Sequence, residues 1–328
     1  MRSKASLPSS VFSLQPAAWG TIAAILLGGC SDSSQVADHS FVVDVERPEY
    51  AQGSGPVVLV DEAHNNFHTA EGRYVTFVRI LRADGYVVRS SKNLFQHDVL
   101  TQGQVLVIAN ALHEGNVVDW ILPTPSAFTK DEIDAVIDWV YEGGSLFLIA
   151  DHMPFGGAAD DLAARFGIEF TNSYDVGADE VVADITPQAL RKDPAIFSRS
   201  GNSLLSHFVT NGRGPEEYVD SIATFTGQGF NAPDIADVLL RFDKNRKLIF
   251  PTEAWVFSDE TPSRPAAGMA QGVVIPHGQG RVAVFGEAAM FTAQLQGTEQ
   301  ATFGLNSVKA EDNVQLLLNV MHWLDGTL

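Results

Sequence analysis

The sequence predicts a doubly wound α/β fold, a mostly parallel sheet with helices on both faces and a β-rich C-terminal extension. Three observations predict it. Short apolar runs such as Val57–Val60 and Val105–Ala109 have no polar side of their own, as strands buried on both faces require. Between them lie stretches whose apolar residues recur at helical spacing, so strand and helix alternate. The first run is followed at once by Asp61, Glu62, His64, Asn65, Asn66 and His68. In open α/β sheets, ligands bind there, beyond the carboxyl ends of the strands.

Each element has its own warrant. Thr69 is placed to cap a helix over 70–83, in which Tyr74, Phe77, Val78 and Leu81 share one face, and Gly85 suits the position past its end. Tyr86–Val88 reads as a second strand. Val105–Ala109 is a third and ends at Asn110, with His113 and Glu114 in the loop beyond. Thr129 and Glu132 form a capping box ahead of a helix burying Ile133, Val136, Ile137 and Val140. Gly143-Gly144 stops it, and the fourth strand, Ser145–Ala150, runs straight into Asp151-His152. Right-handed crossovers open the ends of strands one, three and four on a single edge. A short helix is expected over Asp160–Phe166. Weak periodicity from Thr171 to Pro215 suggests a lid or binding loop. Ile222–Phe225 and Val238–Phe242 read as strands of a more antiparallel region. Gly272–Ile275 and Arg281–Phe285 form a hairpin ending at Gly286-Glu287, and a final helix runs from Asn313 to Leu324. Together these make a flavodoxin-like sheet in one domain.

The N-terminus is read apart from the fold. Arg2 and Lys4 precede an apolar run, Ala17–Leu27, too short to span a bilayer as a stable helix. Leu27-Gly28-Gly29-Cys30 follows. This order resembles the lipobox of bacterial lipoproteins, which implies cleavage before Cys30 and a lipid on that cysteine. The alternatives are an ordinary secretory signal or a single anchor helix. The expected division is a signal peptide over 1–29, a tether over 30–55 with a short strand at Phe41–Val45, and an α/β domain over 56–328. Ser31 in place of Asp implies the outer membrane, with the body facing the periplasm or the cell surface. Cys30 is the only cysteine, so its lipidation leaves no thiol for a disulfide, a thiolate zinc site or a nucleophile. Net charge is −19; removing Arg2 and Lys4 leaves 19 basic against 40 acidic residues, or −21. Such a surface repels nucleic acid and anionic headgroups.

The stretches VVLVDEAHNNFHT, GGSLFLIADH, SHFVTNGR, GQGRVAVFGEAAMF and DNVQLLLNVMHWLDG, in that order, span Val57 to Gly326. They resemble the class I glutamine amidotransferase-like superfamily, in particular a bacterial branch related to gliding-motility and intraflagellar-transport domains. The resemblance implies a nucleophilic cysteine after the fourth strand. This chain has Asp151-His152-Met153 there, so glutamine hydrolysis through a thioester is not expected.

The expected cluster at the strand ends comprises Glu62, His64, His68, Asn110, His113, Glu114, Asp151 and His152, joined by Glu287. Three readings of it stand open. Imidazoles with carboxylates suit a divalent metal, for which His64, His68 and His152 are the candidate ligands. Glu62, His64, Asn65, Asn110, Asp151, His152 and Glu287 could instead hydrogen-bond a small polar ligand such as a carbohydrate, with Phe67 or Phe155 stacking on it. Or the Asn and His side chains tie loops to the sheet. For catalysis the candidates are Asp151, His152 and Glu62, as an acid/base set. Gly156-Gly157 could receive an anion at a helix start. His207, His322 and the residues Trp120, Trp139, Trp255 and Trp323 read as structural. The function expected is a membrane-anchored envelope protein binding a small polar ligand or a partner protein. The alternative is a metal-assisted or acid/base hydrolase of envelope or polysaccharide substrates.

Overall fold

Five parallel strands fix the position of everything else. The computed structural model describes residues 35–186 and 194–328; the expected signal segment and Cys30 lie outside the described residues. The first half carries β1 (Gln35–Ala37), β2 (Val57–Asp61), α1 (Val75–Ala83), β3 (Val87–Ser91), α2 (His97–Leu100), β4 (Val105–Ala109), α3 (Lys130–Tyr141), β5 (Ser145–Ile149) and α4 (Phe155–Ala164). There follow β6 (Glu169–Phe170), β7 (Tyr174–Gly177), β8 (Ala195–Ser198), α5 (Phe208–Asn211), β9 (Ser221–Thr224), β10 (Phe230–Asn231), β11 (Asp237–Arg241), β12 (Arg246–Ile249) and β13 (Ser263–Pro265). The chain closes with β14 (Ala270–His277), β15 (Gly280–Phe285), β16 (Ala293–Gln296), β17 (Ala301–Gly304) and α6 (Asn313–Asp325).

The main sheet runs β3-β2-β4-β5-β15-β14-β10-β6, with β11 also on β14. The first five strands are parallel, and β14 turns antiparallel through the β14–β15 hairpin. Taken as the first five strands of the sheet, their order is that of the flavodoxin-like fold, with the switch point between β2 and β4. Strand residues alternate between two cores. Val58, Val60, Val105, Val107 and Phe147 pack with α1 and α6, whereas Leu59, Leu106, Ile108, Leu146 and Leu148 pack with α3 and α4. A strand buried on both sides needs apolar residues at every position, which is why β4 and β5 show no polar stripe.

Several expectations are corrected. The first helix starts at Val75, because Glu62 takes the Ala70 N–H and the Thr69 carbonyl takes those of Gly72 and Tyr74, winding a separate turn; Thr69 makes no cap. The helix placed at 160–166 begins at Phe155. Gly156 and Gly157 let it sit against Gln228 and Thr124, where a Cβ would come within 2.3 and 1.9 Å. The irregular 171–215 stretch holds β7 and β8, each paired in a small antiparallel sheet, and the short helix α5. Residues 41–45 form no strand; β1 pairs instead with β16. The expected tether is laid along the body from residue 35 on, with Phe41, Val43, Val45 and Tyr50 packed on the core.

Candidate functional site

At the end of β2, the buried Asp61 carboxylate faces His64 Nδ1, which lies 2.9 Å from both carboxylate oxygens. His64 Nε2 lies 2.8 Å from Glu132 Oε1. Glu132 is also the capping-box residue of α3: its Oε2 accepts the Thr129 amide and hydroxyl, and its Oε1 the Phe95 amide. The imidazole sits between the rings of Phe95 and Phe128, 4.5 and 4.8 Å away by centroid. Burial alone would lower the His64 pKa; hydrogen bonds and charges from Asp61 and Glu132 outweigh it and raise the pKa. Both ring nitrogens are thereby committed, and the group is a charged tie between β2 and α3.

Glu62 and Asn65 also serve the fold. Glu62 Oε1 accepts from the Ala70 amide and the Ser90 hydroxyl, both at 2.9 Å. Exposed Asn65 holds a positive φ of 49° and donates to the Leu112 carbonyl. His113 and Glu114 stay in a short helical turn that His113 caps.

The other strands end differently. Register aligns Ala109 of β4, Ile149 of β5 and Phe285 of β15 in one row, so Asn110, Asp151 and Glu287 leave the sheet at the same edge. Asn110, at φ 52°, accepts the Asp151 amide on Oδ1 and donates through Nδ2 to His68 Nδ1. That donor leaves His68 Nδ1 unprotonated. Burial, then the nearby charges of Arg73 and His152, hold the His68 pKa well below its usual range, so the ring is neutral. Glu287 is fully buried and accepts the amides of Ala289 and Met290. Burial and the Asp151 charge nonetheless push its carboxyl well above the ordinary range. Gln228 clamps the turn after β5, donating to the Ala150 and Asp151 carbonyls and accepting the Asn172 amide.

His152 opens an aromatic wall. Its Nδ1 donates to the Met153 carbonyl at 2.7 Å, and its ring stacks on Tyr174 at 4.4 Å and 13°. Trp255 stands edge-on at 4.7 Å, and Phe155 and Trp120 lie at 5.7 and 6.2 Å. Phe67 extends the wall against Trp120 and Phe155. The loops carrying the two tryptophans pair through the Ile121–Glu253 bridge and the Ala254 amide to the Trp120 carbonyl. Both indoles are half-buried, whereas Phe155 is fully packed beneath them.

The structure therefore gathers Asn110, Asp151, His152, Glu287 and His68, and sets Glu62, His64 and Asn65 apart. Trp120 and Trp255, read from the sequence as packing residues, form the rim; Tyr174, Gln228 and Arg73 carried no sequence signal. Their loops have no periodicity, and nothing local shows that they meet. His207 caps α5 and His322 pairs with Asp84 at 2.7 Å, both structural. The Gly157 amide is taken by Asn172, not left for an anion. Among the described residues, no three His, Cys, Asp or Glu side chains are grouped to hold a metal ion. No helix among them is long and apolar enough to cross a membrane. A cavity of about 600 Å³ lies elsewhere, between β8 and the β7 and β12 ends. We place the site at the strand ends because polar groups converge there.

No family model matches the chain, and no curated protein matches it. Among solved structures it is similar to the mmIFT52 N-terminal domain, at 16% identity and TM-score 0.55, covering 82% of this chain and 97% of that one. Weaker likenesses are to the cytoplasmic protein STM1381 of Salmonella typhimurium LT2 (13% identity, 82% and 98% coverage, TM-score 0.46) and to a ThuA-like protein of Bacteroides uniformis (13%, 86% and 94%, 0.43). At such identities the likeness is one of fold. With the strand order above, the chain has a flavodoxin-like α/β fold.

Proposed function

We propose that this chain is an envelope protein, held to a membrane by a lipid on Cys30, whose strand-end cleft binds a carbohydrate. The observation that carries the reading is the half-exposed pair Trp120 and Trp255 around His152, which follows Asp151 and its hydrogen bond to Asn110. Sugars present C–H faces to aromatic rings and hydroxyls to Asn, Asp and His, so the two kinds of side chain answer the two kinds of surface. The nucleophile position holds no cysteine.

Glycan-array binding by the full-length chain tests this, with Trp255→Ala as the control. Binding to a defined glycan that the variant loses supports the reading. An empty array with folded protein overturns it. The anchor is tested separately, by incorporation of labelled fatty acid that Cys30→Ser abolishes.

A second reading rests on one further observation. The buried Glu287 carboxyl, raised by burial and by the charge of the buried Asp151, makes with it a candidate acid/base pair at the strand ends. Turnover of the bound glycan that falls by orders of magnitude in Asp151→Asn marks a hydrolase; binding without turnover marks a binding module.

A further inference from the structure

Arg73 lies in the turn before α1, and its guanidinium carbon sits 3.9 Å above the Phe67 ring. Phe67 is the end of the aromatic wall, 5.2 Å from Trp120 and 5.5 Å from Phe155. A guanidinium stays charged at any physiological pH, and shielding a charge without a partner is costly. Yet Arg73 makes no ion pair and no hydrogen bond among the described residues, and its Nε is shut off from solvent without an acceptor. Burial lowers its pKa, and no carboxylate acts in the opposite direction. Arg213, Arg246, Arg47 and Arg165 pair with carboxylates, and Arg79, Arg82 and Arg199 donate to backbone carbonyls. Among the described residues, Arg73 is the arginine whose solvent-shielded N–H lacks an acceptor.

We infer that Arg73 receives the carboxylate of an acidic sugar, so that the ligand of the cleft is a hexuronic acid or a glycan containing one. This rests on the carbohydrate reading above and narrows it. With its carbon over Phe67 and its Nε shielded, the guanidinium meets a ligand through its two terminal NH2 groups, and a planar carboxylate pairs with those through two parallel hydrogen bonds. The sugar ring then lies along the wall toward Trp120 and His152. A single guanidinium suits a single negative charge better than a dianion.

Titration of full-length protein, followed by tryptophan fluorescence and calorimetry, tests this with galacturonic and glucuronic acids, galactose, glucose and glucose 6-phosphate. The expected result is a preference for each uronic acid over its neutral parent of about tenfold or more, screened by salt. Arg73→Gln abolishes the preference, and Arg73→Lys, which keeps the charge but loses the fork, retains part of it. Equal affinity for acid and neutral sugar, or a preference that survives Arg73→Gln, overturns the inference while the carbohydrate reading stands. Tighter binding of the sugar phosphate through Arg73 overturns the choice of carboxylate. If none of the sugars binds, the carbohydrate reading falls and this inference with it. Thermal melts of each variant separate lost binding from lost fold.

Discussion

His64 and His152 follow parallel strands of the same sheet, at the same edge, with β4 between them, and their surroundings are opposite. His64 is held by two carboxylates between two phenylalanines, with both nitrogens engaged. His152 donates one nitrogen to a backbone carbonyl and lies against Tyr174 under two half-exposed tryptophans. The β2 end has been turned into a brace that joins sheet to helix. The β5 end instead meets an aromatic wall with two half-exposed indoles at its rim. Residue type does not separate a brace from a site; what surrounds the ring does, two carboxylates at His64 and an aromatic wall at His152.

The sharpest way to break this comparison is to remove each histidine. His64→Ala leaves Asp61 and Glu132 buried and unpaired, so it is expected to cost about 3–5 kcal/mol of stability. Urea denaturation measures this, and glycan binding by the folded fraction should persist. His152→Ala should do the reverse, weakening binding with a smaller loss of stability. A His64 variant that melts normally but fails to bind would reverse the assignments.

The brace also has a pH signature. The His64 pKa is raised above its ordinary 6.5, so its contribution is fully present below about pH 6.5 and is lost as pH rises through the folded value. For Glu132, burial raises the pKa, but His64 and Thr129 outweigh it and lower it below 4.5. Its contribution is present above about pH 4.5 and is lost as pH falls through the depressed value. The stability gap between wild type and His64→Ala should therefore be widest between about pH 4.5 and 6.5 and shrink on both sides. A flat gap from pH 4 to 9 would remove the charged imidazolium from the account.

The cleft carries a smaller stability effect of opposite sign. Trp255 holds φ at +67°, a region that bulky side chains rarely adopt. Such strain costs about 1–3 kcal/mol and is kept where a site needs the side chain. Trp255→Gly is expected to leave the melting temperature unchanged or raised while abolishing glycan binding. Trp255→Phe should preserve part of both. A glycine variant that melts much lower would make the indole a packing residue, as its sequence context suggests.

How much of this was legible depends on how local the signal is. β4, the capping box at Thr129 and the Gly85 stop follow from adjacent residues, and each stands where the pattern puts it. The strand-end position of Asn110 and Asp151 is legible because parallel strands share an edge. The Glu132–His64 contact is not, since it joins residues 68 apart and uses a carboxylate whose capping role already explained it. Trp120 and Trp255 are hidden for the same reason: two aperiodic loops pair only after the sheet has brought their ends together. Fold is written in short-range periodicity, and the site in contacts across the chain.

The segment before β2 gives the smallest effect and the finest test. Composition made residues 30–55 a tether, yet Tyr50 donates its hydroxyl to Asp325 Oδ2 at 2.9 Å, and the Tyr86 hydroxyl reaches the same oxygen. Arg213 pairs with Glu49 at 2.8 Å, beside α6. If this segment is part of the body, Tyr50→Phe should cost about 1 kcal/mol in urea denaturation, the net worth of one hydrogen bond to a charged acceptor less solvent compensation. If it is a free strap, the substitution should cost nothing.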